Sequence, residues 1–596
     1  MATQALAGEQ AKADGQKSAS RRDLPHPAWL GVSSGALLWL AFPPAEWSGA
    51  AWVALVPLFL LVGTTRSTAS AYLGAWLGGF VFWLLAVHWV WWTDDSAWLG
   101  WVVMAGFLSL WWPAFLFLAR FARRRLQLPL IVAAPVFWVA LESVRAYILT
   151  GFPWYYLAHS QYRMIYVTQV ADFSGALGLS FLIAVVNALW VDLLTLPLFR
   201  RKPGGSVWVR LALGQKARLV AVGAAVAGTL AYGAYRVGSA EFRPGPRVAM
   251  LQSSEVVRLV PNKNRSPSEN QALYEGLIRT AIASPEKPDL IVWPETAYPW
   301  GYSSIEVGVD PKRLDEQVKE FDPKSVGADW IREQARVVGY FDSLMKATGV
   351  PMMVGSTIYN FSQAGASKFN SAILVQPGKA DQIYHKMHLV PFGEYVPLVE
   401  TFPWIMRLTP FRGTQLHFLD RGKKPTWFEL GPNRLAAAIC FEDTVPHLVR
   451  RFFAEAPQAK QPDLVVNLSN DGWFHETSEH EMHLAVSVFR CIENRVPMAR
   501  AVNTGISAMI DGNGRIVDSM AKLKAGVLTV VAPLDDRTSV YSQWGDWPGL
   551  CSIAATIGLL MLGTFSPRGP GRDTDAQPAR TSRAAGQSGP AYTKFP

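Results

Sequence analysis

Long apolar runs dominate the first 240 residues. Segments at roughly 28–43, 49–64, 70–92, 98–119, 129–149, 173–197 and 218–236 carry few charges, and another recurs at 548–564. A helix needs about 20 apolar residues to cross the hydrocarbon core of a bilayer. These eight segments therefore predict membrane spans, the shorter ones near that minimum. Between 240 and 547 the pattern changes. Short strand-like runs (Val248–Leu251, Leu290–Trp293, Met352–Val354, Ser371–Val375, Leu435–Ile439, Leu464–Val466 and Ile516–Val517) alternate with helix-like stretches at 268–283, 329–347 and 478–494. Alternation of this kind predicts a layered α/β domain. The expected organisation is a polar N-terminus (1–27), a seven-span membrane domain (28–239), an α/β domain (240–547), a last span (548–564) and a disordered tail (565–596) rich in Gly, Pro, Ser and Arg.

Composition agrees with that division. Only 17% of the 596 residues are charged, half are hydrophobic and 25 are Trp, whereas soluble domains carry about a quarter charged. The net charge of +10 raises the question of a nucleic-acid partner, but the basic residues sit between apolar segments. Arg120 and Arg123–Arg125 form one cluster; Arg200, Arg201, Lys202, Arg210, Lys216 and Arg218 form another. With the N-terminus cytoplasmic, Arg66, both clusters and the arginines of 568–583 fall inside, while Asp94, Asp95 and the whole of 240–547 fall outside. Topology thus accounts for the charge, and nucleic acid is not an expected partner. Residues 1–27 lack the apolar region and cleavage site of a removable signal peptide.

Within the α/β region, strand-like runs end in reactive side chains. Leu290–Trp293 leads into Pro294-Glu295, and Leu435–Ile439 into Cys440-Phe441-Glu442. A lysine, Lys386, stands among Tyr384, His385, Met387 and His388. Open α/β sheets build their sites at strand ends. Singly, each residue has an ordinary explanation: a small core cysteine, a surface carboxylate, a solvated lysine. Together they form a complete acyl-transfer kit. A carboxylate takes the proton of a thiol, a neighbouring cation favours the thiolate, and the same cation meets the oxyanion of a tetrahedral intermediate.

The order Trp293-Pro294-Glu295, then Lys386 with Leu389-Val390-Pro391-Phe392-Gly393-Glu394, then Cys440-Phe441-Glu442, resembles the carbon–nitrogen hydrolase (nitrilase) superfamily. Asn467-Leu468-Ser469-Asn470-Asp471-Gly472-Trp473-Phe474 adds a fourth block. With apolar segments on both sides, residues 28–564 resemble the apolipoprotein N-acyltransferase family of bacterial membranes. The resemblance implies an αββα sandwich beside about eight spans in the inner membrane, with the catalytic domain periplasmic and both termini cytoplasmic. It implies that Cys440 attacks a phospholipid, typically phosphatidylethanolamine, to give a thioester, and that the α-amino group of a diacylglyceryl-cysteine apolipoprotein then takes the acyl chain. Glu295 becomes the general base and Lys386 the oxyanion stabiliser. Glu394 and Glu442 become supporting residues, Glu442 either orienting the lysine or serving a structural ion pair. Trp293, Tyr395, Trp404, Asn470 and Trp473 are expected to meet substrate. Family members often carry Tyr after the nucleophile; Phe441 departs from that, leaving its backbone N–H available to the oxyanion but no hydroxyl.

A soluble amidase would suit the same triad, so the substrate class must be read elsewhere. The segment after Glu394 holds Tyr395, Val396, Leu398, Phe402, Trp404, Ile405, Met406 and Phe411 where an ordinary loop is polar. Such apolar surface marks a membrane or ligand contact. In the membrane region, Glu142 and Arg145 share one helical face, as an ion pair or a substrate contact. Cys491 reads as packing and Cys551 as part of the last span. His475-Glu476 and His480-Glu481 match no familiar ligand spacing, so neither metal nor cofactor is expected. A monomer suffices. The competing enzymatic reading is a membrane-tethered amidase that releases its acyl group to water; a scaffold with a dead domain would have lost a triad member, and none is missing.

Overall fold

The computed structural model describes residues 24–566 apart from 65, 95–96, 196–198, 202–206, 210, 258–263, 400, 409–417 and 458–460. Most of the polar N-terminus, Asp95, Lys202, Arg210, Phe411 and the tail beyond Ser566 lie outside the described residues.

Every apolar segment becomes helical. Among the described residues, five helices are long and apolar enough to cross a membrane: Thr68–Ala86, Ala97–Arg125, Ala171–Thr195, Leu213–Gly238 and Trp547–Phe565. Pro27–Leu40 and Ser48–Gly63 are apolar but shorter, and Leu130–Arg145 has 16 residues. Length and composition thus mark five helices of the eight expected. Pro27–Leu40 packs against Thr68–Ala86 through glycines four apart. A Cβ on Gly31 would lie 1.7 Å from the Gly74 carbonyl oxygen, and one on Gly35 2.2 Å from that of Gly78. Small residues at that spacing let two apolar helices approach until their backbones touch.

The α/β region consists of two sheets. One runs, strand by strand, Gly526–Asp535, Phe242–Gln252, Leu290–Val292, Met352–Ser362, Gly365–Val375, Gln382–His385, with Tyr302–Ile305 paired to Met352–Ser362. The other runs Ile516–Ser519, Ala508–Ile510, Met498–Val502, Leu464–Ser469, Asn433–Ile439, Trp427–Leu430. Phe242–Gln252, Leu290–Val292 and Met352–Ser362 are mutually parallel, as are Asn433–Ile439, Leu464–Ser469 and Met498–Val502. Alternation along the first sheet separates two cores. Val248, Met250, Leu290, Val292 and Met353 join a core shared with the second sheet. Ala249, Leu251, Ile291, Trp293 and Met352 pack instead under helices Pro267–Ile282 and Gly327–Thr348. The first of these helices begins as its sequence dictates: Pro267 takes the first turn while Ser266 and Glu269 cap one another reciprocally.

The helical and α/β regions are bonded through buried polar groups. Arg495 donates to Asp172 at 2.7 Å and to Gln169 at 2.7 Å. Ala176 N–H donates to Glu493 at 3.0 Å. Glu142 and Arg145 both bond the segment that follows them, Glu142 also accepting from Trp138 Nε1 at 2.9 Å. Glu142 accepts from Leu157 N–H at 2.9 Å, and Arg145 donates to the Phe152 and Trp154 carbonyls at 3.1 and 2.7 Å. Their role is to hold that segment, which carries Trp154 up to the α/β region.

Candidate active site

The parallel strands deliver their ends to one place. Pro294 and Glu295 follow Leu290–Val292 closely, and the backbone there passes over Gly355 of the neighbouring strand. A Cβ on Gly355 would lie 2.2 Å from the Pro294 carbonyl oxygen and 2.8 Å from the Glu295 Cα, so only glycine permits this turn. Lys386 follows Gln382–His385, its N–H donating to the Asn370 carbonyl at 2.8 Å. Cys440 follows Asn433–Ile439 and opens a short 3₁₀ turn with φ of 51°. A left-handed conformation is strained for a residue with a Cβ, and such strain gathers where a reactive side chain must be aimed.

These residues converge. The Lys386 ammonium, on a side chain 1% exposed, donates to Glu295 Oε1 at 3.1 Å and to Glu394 Oε1 at 2.8 Å. Asn370 Nδ2 bridges the same two carboxylates at 2.7 and 3.0 Å. The remaining oxygens are occupied as well: Glu295 Oε2 accepts from Asn470 N–H at 3.0 Å, and Glu394 Oε2 from Val390 N–H at 2.7 Å. Burial opposes charge on Lys386, but Glu295, Glu394 and Cys440 outweigh it and raise its pKa well above the ordinary value. Burial pushes the Cys440 thiol well up; Glu295 adds to that and Lys386 opposes it. At rest the sulfur therefore holds its proton beside a carboxylate and an ammonium.

Glu442 acts on backbone groups beside Lys386 rather than on its ammonium. Its oxygens accept from the Tyr384 hydroxyl at 2.8 and 2.9 Å, from the N–H groups of Met387 and His388 at 2.6 and 3.0 Å, and from Ile439 N–H at 2.8 Å. It is a clamp joining the chain just after Lys386 to the chain just before Cys440. The lysine's own partners are Glu295 and Glu394. Burial pushes the Glu442 carboxyl up to about 7, against the pull of the Ile439 N–H, Lys386 and the His388 N–H.

The aromatic surroundings divide. Phe441 lies between Trp154 (ring centroids 6.3 Å apart) and His388 (5.7 Å), nearly parallel to both. Burial lowers the pKa of His388 to about 4. Tyr395 is half-buried with the Arg421 guanidinium over its ring at 4.6 Å. Trp404, 57% exposed, stands near Phe402 and away from any core. Trp473 is half-buried in the short turn after Asn470. Trp293, expected to meet substrate, is instead fully buried and stacked on Tyr274 at 4.7 Å, because alternation along its strand turns it toward the helices. Asn470 both touches Glu295 and accepts from Asn503 Nδ2 at 2.8 Å. Glu295 borders a cavity of about 160 Å³ that also includes Ser253, Glu255, Asn470 and Asn503. Cys491 is buried in packing and Cys551 is exposed on the last helix.

Sequence reasoning passed over Asn370 and Tyr384. Both leave a signal: Asn370 is a polar residue entering the apolar run that ends at Val375, and Tyr384 precedes Lys386 by two on the same strand face. Neither signal names a partner, since the partners are 75 and 58 residues away.

Comparison with known proteins places this geometry. Residues 34–189 match the model of the apolipoprotein N-acyltransferase N-terminal domain, and residues 247–541 match that of carbon-nitrogen hydrolase. The chain is 31% identical over 558 residues to an apolipoprotein N-acyltransferase of Geobacter metallireducens, covering 89% of this chain and 94% of that one. It is 28% identical over 566 residues to one of Rhodopirellula baltica, covering 90% and 97%. An amidase from Nesterenkonia sp. aligns in structure at 18% identity and a TM-score of 0.32, over 50% of this chain and 93% of that one. On the extent and identity of these sequence matches, the chain belongs to the apolipoprotein N-acyltransferase family.

Proposed function

We propose that this protein moves an acyl chain from a phospholipid, through a thioester on Cys440, to the N-terminal amino group of diacylated apolipoproteins. The observation that carries the mechanism is the Lys386 ammonium held between Glu295 and Glu394, with burial pushing the neighbouring Cys440 thiol well up. Glu295 receives the thiol proton as sulfur attacks the ester carbonyl. Lys386, its charge fixed by two carboxylates, stabilises the thiolate and then the oxyanion. Collapse of the tetrahedral intermediate expels the lysophospholipid alcohol, which takes a proton back from Glu295. The acceptor amine then attacks the thioester, Glu295 removes its proton, and the amide leaves as Cys440 is restored. Ammonium groups suit the cavity beside Glu295, whose wall presents carboxylate and amide oxygens.

A lipid source is supported by the exposed side chains of Phe392, Leu398, Phe402 and Trp404. Phe392 stands just before Glu394 and the other three follow it, and Leu419 N–H donates back to the Glu394 carbonyl at 3.2 Å. The segment is a flap anchored at one of the lysine's partners, and its apolar face enters the outer leaflet beside the site. In this reading the three shorter apolar helices also span, giving eight. The α/β domain is then periplasmic, both termini are cytoplasmic, the membrane is the inner one and the protein acts as a monomer. Phosphatidylethanolamine is the donor proposed. Its acyl-labelled form, incubated in vesicles with and without a diacylated lipopeptide, tests transfer against hydrolysis. Label moving to the lipopeptide, with little free fatty acid in its absence, supports the transferase. Rapid fatty-acid release without acceptor identifies an amidase-like hydrolase.

A further inference from the structure

Behind the nucleophile turn lies a second buried cluster that the acyl chemistry does not use. Asp471 follows Asn470, while Glu479, His480 and His483 occupy the first turns of the helix Glu479–Asn494. Glu479 and His483 are four apart and share a face. One donor atom from each of Asp471, Glu479 and His483 lies within 4.8 Å of the other two. All four side chains are almost wholly buried.

The spacing does not suit hydrogen bonds. His483 Nδ1 is 3.3 Å from Asp471 Oδ1 and 3.5 Å from Glu479 Oε1. His480 Nδ1 is 3.4 Å from Glu479 Oε2 and 3.8 Å from Asp471 Oδ2. Both nitrogens, Asp471 Oδ2 and Glu479 Oε2 have no hydrogen-bond partner. Ligands about 2.0–2.2 Å from a tetrahedral ion stand about 3.3–3.6 Å from one another, close to these separations. The other nitrogen of each ring is already taken. His483 Nε2 bonds Asp443 Oδ1 at 2.8 Å, and His480 Nε2 bonds the His475 carbonyl. A carboxylate or carbonyl behind the imidazole is how metal-ligating histidines are fixed in tautomer and direction.

Charge points the same way. Asp443, Asp471 and Glu479 face a single guanidinium, that of Arg500, which is 2.7 Å from Asp443 and 3.7 Å from Asp471. Two negative charges remain in a dry interior unless a counter-ion is present. We propose that Asp471, Glu479 and His483 bind one divalent cation of the zinc type, with His480 as the flanking fourth donor. No ligand position faces solvent, so the ion is structural. It ties the segment that presents Asn470 to Glu295, the helix Glu479–Asn494 and, through Asp443, the turn that carries Cys440. The alternative counter-charge is a proton on each imidazole, and the two differ in metal content.

The test uses the full-length protein, purified without a histidine tag or chelator and loaded with zinc alone. Elemental analysis after gel filtration should find about one zinc per chain. Chelation should lower the melting temperature, and zinc should restore it. Glu479→Gln and, separately, His480→Gln should retain a folded gel-filtration profile and weaken zinc binding at least ~10-fold. Cys440→Ala should bind zinc as the parent does. A loaded parent protein with under about a tenth of an equivalent of zinc, or zinc held equally well by both ligand variants, overturns the proposal.

Discussion

The carboxylate–lysine pocket and the apolar flap meet at Glu394 and are built in opposite ways. In the pocket the side chains are buried or half-buried, and the Lys386 nitrogen and the carboxylate oxygens of Glu295 and Glu394 each have a partner within about 3 Å. The flap is irregular, with positive φ at Phe392 and Leu398, and it shows large apolar side chains to the outside. Chemistry requires fixed geometry, which rigid strands supply. Acceptance of a lipid requires an apolar face, which a folded core would have hidden. On the function proposed, the pocket carries the reaction and the flap the substrate class.

If that division holds, variants in the pocket should abolish turnover and variants in the flap should change only lipid capture. Cys440→Ser should show the largest effect, a loss of at least ~10³-fold in lipopeptide N-acylation by the purified protein. Lys386→Met should follow, with kcat down by roughly 10²–10³-fold, the range expected when an oxyanion donor is removed. Glu394→Gln should fall short of it, since Glu295 and Asn370 remain beside the ammonium.

The clamp makes a different prediction. Glu442 is raised from 4.5 to about 7 by burial. Between those values the native protein keeps a proton that the unfolded chain releases, so stability should decline as pH rises through that window. The melting temperature measured against pH should show this decline in the parent, and Glu442→Gln should flatten it even though the variant is less stable throughout. An unchanged slope would mean that Glu442 is ionised across the whole window. The smallest effect belongs to the flap. Trp404→Ala should raise KM for vesicle phospholipid about 3–10-fold, roughly one buried aromatic contact, and leave turnover of a short, soluble ester unaltered. Equal losses on both substrates would erase the distinction between the regions.

Much of this was legible in the sequence. Apolar runs of helical length became helices because nothing else satisfies a backbone in lipid, although among the described residues only five reach span length. Glu295 and Cys440 stand out in the sequence because each follows a strand-like run, and Lys386 through the family block around it; the fold brings Lys386 against Glu295. Asn370 and Tyr384 do not, because their bonds cross 75 and 58 residues of chain and register cannot be read locally. Glu442 was recognised, but a carboxylate near a lysine suggests an ion pair, while its backbone partners become visible only on folding. Trp293 was misread for a simpler reason: it continues the face of Ile291, which packs under the helices, and the chain leaves strand geometry before Glu295. The sequence reading weighed the histidines of the Asp471–His483 cluster as ligands and set them aside, because it paired His480 with Glu481, whereas Asp471 joins Glu479 and His483 only when the strand end meets the helix start.

The account stands most directly on the acyl-enzyme. The purified protein, incubated with phosphatidylethanolamine and no acceptor, should yield a Cys440 peptide heavier by one acyl chain in mass spectrometry. The adduct should be cleaved by neutral hydroxylamine and should disappear when a diacylated lipopeptide is added. Lipopeptide acylation that proceeds with Cys440 unmodified, or an acyl chain found stably on another residue, would contradict it.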